Sequence, residues 1–124
     1  MKQLQEIVRQ VGVEHGFLAV VLTDASGFPL AASTGGEQAE APAAIAARVQ
    51  RVAQQASAHV GLGEMDEIVM FDEHGQRLVC RAFAAGERTL ILVVKLAAQT
   101  AYRRATNQAI RQIQRVWAQR DRAA

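Results

Sequence analysis

Residues 65–95 read MDEIVMFDEHGQRLVCRAFAAGERTLILVVK, three short apolar runs separated by polar turns that each carry a glycine. Runs this close together form strands joined by tight turns, an antiparallel meander. The last run, Leu90-Ile91-Leu92-Val93-Val94, has no polar alternation. An unbroken aliphatic strand is covered on both faces, so it lies centrally in its sheet. The first run, Ile68-Val69-Met70-Phe71, is almost as apolar, yet the order of the meander puts it outermost. An outermost apolar strand needs a partner, and that need is the main pointer to function.

Working outward, Phe17-Leu18-Ala19-Val20-Val21-Leu22 is a second fully apolar strand, closed by Asp24-Ala25-Ser26-Gly27. Asp at the first and Gly at the last position of a four-residue turn is type I chemistry, and that Gly also permits a left-handed residue at the start of the return strand. Asp72-Glu73-His74-Gly75 repeats the pattern. The return strand, Phe28 to Ser33, contains Pro29 and so lies on an edge, because proline cannot donate to a ladder.

Three helices surround these strands. Leu4, Ile7, Val8 and Val11 make one stripe of a first helix, with Gly12 placed to end it. Thr34 to Glu40 is a polar connector, after which Pro42 suits the first turn of a middle helix, with Glu37 and Glu40 near its positive end. Along that helix Ile45, Val49, Val52, Ala56 and Val60 form a stripe, neighbouring alanines keep the surface low, and Gly61 and Gly63 break it. A last helix runs from about Ala97 to Ala118, with Tyr102, Ala105, Ala109, Ile113 and Val116 inward, Ile110 and Trp117 flanking, and Arg104, Gln108, Arg111 and Arg115 outward.

The element order is therefore αββαβββα, an α+β chain. Hairpin and meander share one sheet, since neither alone makes a stable core. The two bare strands sit side by side, which gives the five-stranded antiparallel order 2-1-5-4-3. Both faces need cover, so the terminal helices pack on one and the middle helix on the other, a three-layer α/β/α arrangement. The 124 residues suit one domain, residues 1–119, with 120–124 as a fraying tail.

Composition narrows the functional classes. The single Cys80 has no partner for an internal disulfide and reads as a small buried residue in a reducing, cytoplasmic setting. No apolar run approaches the ~18 residues that span a membrane. From Lys95 onward there are seven Lys/Arg against one Asp, so a basic last helix is set on a mildly acidic body. Such a helix suits an acidic partner or, more simply, a solvated face whose arginine stems cover apolar surface.

Taken in order, the first helix, GFLAVVLTDASGFPLAAS, the alanine-rich helix and the meander ending in TLILVVK resemble the roadblock family of dynein light chains and MglB-like bacterial regulators. The most characteristic piece is Asp24-Ala25-Ser26-Gly27-Phe28-Pro29-Leu30, close to the family's DG-x-P-L/I turn with one residue changed. The likeness runs from Leu4 to Trp117. It implies a profilin-like fold and a non-catalytic dimer in which the third strands pair across a two-fold and the middle helices pack together. It further implies a platform for a small Ras-like GTPase. On this chain the dimer contacts fall on Ile45, Val49, Val52, Ala56, Asp66, Ile68, Val69, Met70 and Phe71, and the partner-binding platform on Arg48, Arg51, Gln55 and His59.

The residues offer no enzyme signal. Both D-x-x-G tetrapeptides match a nucleotide-binding motif, but no G-x-x-x-x-G-K-[ST] loop accompanies them, so they read as turns. His15, His59 and His74 do not recur at ligand spacing, so no metal or cofactor is expected. Glu64, Asp66 and Glu67 read as solvated or interface charges. The alternatives to a GTPase platform are a structural assembly module, a profilin-like sensor of a small ligand, and, as the minor reading, a nucleic-acid binder using the last helix. Aromatic residues are only 5% of the chain, which argues against the last.

Overall fold

The computed structural model describes residues 2–33 and 37–123. Its elements are α1 (Lys2–His15), β1 (Ala19–Asp24), β2 (Pro29–Ala32), α2 (Glu37–His59), β3 (Ile68–Phe71), β4 (Arg77–Ala85), β5 (Arg88–Leu96) and α3 (Arg103–Ala123). The strands form one antiparallel sheet in the order β2-β1-β5-β4-β3. The two bare aliphatic strands pair from Ala19 with Lys95 to Asp24 with Leu90, as their need for cover on both faces demands.

Strand alternation divides the core in two. Val20, Leu22, Val79, Leu90, Leu92 and Val94 point to the side where α1 and α3 lie together, and meet Leu4, Val8, Ala109, Ile113 and Trp117. Val21, Cys80, Ile91 and Val93 point the other way, toward Ala39, Ala43 and Ala46 of α2. The apolar residues that α2 gives this cluster are all alanines, so its backbone sits close and its larger apolar side chains are left to face outward.

The two Asp-x-x-Gly turns are built alike. Gly27 N–H donates to the Asp24 carbonyl at 3.1 Å, and Gly75 N–H to the Asp72 carbonyl at 3.2 Å. In each, the aspartate Oδ1 accepts two further backbone N–H groups, from Ser26 and Phe28 and from His74 and Gln76. The glycines take φ of +91° and +83°, the left-handed region the turn requires.

Element ends differ from the sequence reading for local reasons. Gly12 does not end α1; it is buried within it, where a Cβ would stand 3.4 Å from Val20 and 3.6 Å from Ser33, so it lets helix and sheet approach. The helix closes at Gly16, at φ +66°, with Phe17 N–H reaching back to the Gly12 carbonyl. The connector expected over Thr34–Glu40 is helical from Glu37, its residues 34–36 lying outside those described; Pro42 therefore sits inside α2, beyond its first turn.

α3 begins at Arg103 rather than near Ala97. Gln99 has a positive φ of 66°, and the Arg77 guanidinium takes the Ala97 and Thr100 carbonyls that an earlier helix start would use. The helix then continues to Ala123, past the expected end. Trp117 is buried while Val116 is half-buried, the reverse of the expected flanking order. β1 and β2 each begin after the expected Phe17 and Phe28, and β3 begins at Ile68, so Asp66 precedes the strand rather than belonging to it.

Candidate functional site

The two edges of the sheet are treated differently. On β2, Pro29 removes a donor, and the Gln5 side chain of α1 occupies both backbone groups of Ala32, accepting its N–H at 3.1 Å and donating to its carbonyl at 2.5 Å. β3 pairs with β4 on one side only, from Ile68 with Cys80 to Phe71 with Arg77, and no side-chain hydrogen bond caps its other side among the described residues. Its outer end is uncovered as well, with Phe71 70% and Met70 37% exposed.

The outward stripe of α2 continues this apolar surface. Ile45 and Val52 are 46% and 59% exposed, Ala56 is exposed and Val49 is half-buried. Beyond the helix, Gly61 takes φ +77° and Leu62 N–H caps the Ser57 carbonyl, which leaves Val60 and Leu62 uncovered too. Ala41, Pro42 and Ile45 of α2 face Met70, Phe71 and Leu78 across a largely apolar groove of about 380 Å³. Of the residues expected to form an interface, Ile45, Met70 and Phe71 line this groove, Val69 packs toward α1 and α3, and Asp66 lies exposed just before β3.

Arg48, Arg51, Gln55 and His59 are all exposed, about a quarter-turn round α2 from the apolar stripe. On that flank Ala44 and Ala47 lie against the β1–β2 turn at Gly27. The His59 ring nitrogen meets the Gln55 carbonyl at 3.0 Å, a contact within the helix that leaves the two arginines outward.

Asp66 and Glu67 turn instead toward α3. Arg103 binds Asp66 at 2.5 Å and also Glu67, and the Tyr102 hydroxyl donates to Glu67. Behind them lies Arg81, a buried arginine on β4 that donates to Thr106 and Asn107 and stands 3.6 Å from Asp66. This network fastens the start of β3 to the start of α3. The Arg103 hydrogen bond, then the charges of Arg103 and Arg81, hold the Asp66 carboxyl below its usual range. A depressed carboxyl stabilises the fold above its unfolded pKa, and that contribution disappears as pH falls through the folded value. Arg103→Ala should therefore melt slightly below the parent at pH 7, with the gap closing as pH drops below about 4. A gap of equal size at both ends of a thermal-melt pH series contradicts this.

The sequence model of the Roadblock/LC7 domain matches residues 3–95. The chain belongs to the Roadblock/LC7 family. Its fold is that of MglB from Myxococcus xanthus, with a TM-score of 0.79 at 14% identity over 95% of this chain and 90% of that one. The gliding protein MglB of Thermus thermophilus gives 0.75 at 20% identity, again over 95% and 90%. A Roadblock/LC7 domain from Streptomyces avermitilis gives 0.74 at 16%, over 90% and 92%. No curated protein sequence matches significantly.

Within this Roadblock domain, two features escape a reading of the sequence. Gln5 gives no signal of an edge cap, since a lone glutamine on a polar helix face is ordinary. Arg81 sits in a strand otherwise read as apolar, and its burial could be suspected only from its alternation with Val79 toward the terminal helices. Cys80 faces α2, and burial pushes its thiol up to about 11, so at neutral pH it stays protonated and unreactive. Among the described residues no group of three or more His, Cys, Asp or Glu could hold a metal. No helix among them is long and apolar enough to cross a membrane.

Proposed function

We propose that this Roadblock domain is a non-catalytic, cytoplasmic homodimer that serves as a platform for a small Ras-like GTPase. The observation that carries the reading is the contrast between the edges: β2 is closed by Pro29 and Gln5, while β3 is bare and continuous with the exposed stripe of α2. Pairing of β3 with its copy across a two-fold satisfies the bare edge and covers Met70 and Phe71. It also brings the stripes Ile45, Val49, Val52 and Ala56 of two α2 helices together, and sets both copies of Arg48, Arg51, Gln55 and His59 on one composite surface. The GTPase is the partner class that the family resemblance implies. Regulation would then run through ordering of the GTPase's own switch loops, with donation of Arg48 or Arg51 as the alternative.

Arg48→Glu combined with Arg51→Glu tests the platform. Both side chains are exposed, so the parent's melting temperature and mass should be retained while capture of nucleotide-loaded Ras-like GTPases is lost. A double variant that binds its GTPase at parental affinity removes these residues from the site. The apolar groove beside Ile45 and Met70 favours a small-ligand sensor as the second reading; an apolar ligand that binds there and blocks dimer formation would establish it.

A further inference from the structure

The back of α3 carries a second surface, one that the platform does not use. Arg104, Arg111, Arg115 and Arg122 are spaced by seven, four and seven residues and all are exposed. At about 100° per residue these positions fall within roughly 20° of one line, about 27 Å long. The line lies directly opposite the buried face formed by Ala105, Ala109, Ile113 and Trp117. It is therefore the outermost ridge on this side of the protein.

The other arginines of α3 are engaged: Arg103 binds Asp66 and Glu67, and Arg120 stacks over Trp117 at 5.0 Å. The four ridge arginines make no hydrogen bond, ion pair or ring contact with the described residues. The one acid of α3, Asp121, sits off the ridge, against the turn at Gly86. Beside α3 packs α1, where Arg9 is paired with Glu6 and Gln10 donates to Glu14. Its Val13 is 71% exposed and points away from the α1 core face of Leu4, Val8 and Val11.

We infer that this ridge is a docking surface for the phosphate headgroups of an anionic lipid bilayer. A straight row of guanidiniums on the convex back of a helix can touch a plane along its whole length. Arginine forms bidentate bonds to phosphate, and a basic row near an acidic leaflet gains affinity with each residue. Val13 offers a small apolar foothold in the same face. Single-stranded nucleic acid fits less well, because the ridge presents no exposed aromatic ring for bases to stack on. The attachment is peripheral and does not depend on the dimer, since each chain carries a whole ridge.

The test is co-sedimentation of the full chain with phosphatidylcholine vesicles, with and without 30% phosphatidylserine, at low and at threefold higher salt. Each arginine contributes about fivefold near such a surface. The parent should bind the anionic vesicles more than tenfold better than the neutral ones and lose most of that binding in the higher salt. Arg104→Gln, Arg111→Gln, Arg115→Gln and Arg122→Gln together should abolish it while the melting temperature holds. Equal binding to both vesicle types, or binding indifferent to salt, overturns the inference, and neither result needs the variant to fold. A DNA duplex that binds the parent more tightly than the anionic vesicles also overturns it.

Discussion

Val69→Lys combined with Met70→Pro is expected to turn a dimer into a monomer or an unfolded chain. Proline removes a backbone donor from β3, and lysine places a charge where a partner strand must pair. Val69 also packs against the core beneath α1 and α3, so this variant strikes the fold as well as the edge. Phe71→Lys separates the two effects, because Phe71 is 70% exposed and makes little of the monomer's core. Loss of a central interface anchor costs about 2–4 kcal/mol, a weakening of dimerisation of about 30- to 1000-fold. Phe71→Lys should thus scatter light as a monomer near 13.4 kDa while melting much like the parent. A Phe71→Lys protein that stays dimeric at micromolar concentration excludes the β3 edge as the interface.

Gly27→Val should be the most damaging single substitution in the hairpins. Its φ of +91° is costly for a β-branched residue, and a Cβ would stand 3.2 Å from the Ala44 Cα and 3.4 Å from the Ala43 carbonyl oxygen. Those contacts are helix backbone and cannot yield without moving α2. Strain and overpacking together come to about 3 kcal/mol or more, roughly 10 °C in melting temperature. Gly75→Val shares the strain, at φ +83°, but its closest contact is the Ala98 side chain at 3.2 Å, on a loop that can give way. It should cost only about 1–3 kcal/mol. Thermal melts that rank Gly75→Val as the worse of the two contradict the role given to α2.

The order of strands was legible because it depends on patterns with a direct physical meaning. Leu90 to Val94 and Val20 to Leu22 carry no polar alternation, and only central strands can hide both their faces. Asp24 and Asp72 announced their turns because the chemistry there is local to four residues. Helix ends were harder to read, since they are settled by tertiary contact. Gly12 looks like a stop but is a point of close approach, and Ala97 looks helical until Arg77 takes its carbonyl. On the candidate site, the apolar stripe of α2 was visible as a period, and the small sheet-facing residues explain why it is exposed. The ion pair of Asp66 with Arg103 was not legible, because the two lie 37 residues apart and sequence spacing says nothing about such a pair.

The platform stands or falls on pairing between two copies of the chain, and the mass of the unmodified protein in solution tests that most directly. Light scattering over a concentration series through the micromolar range should give about twice 13.4 kDa, with no monomer shoulder. A constant mass of one chain throughout that range would contradict the dimer, and with it the composite surface of Arg48 and Arg51.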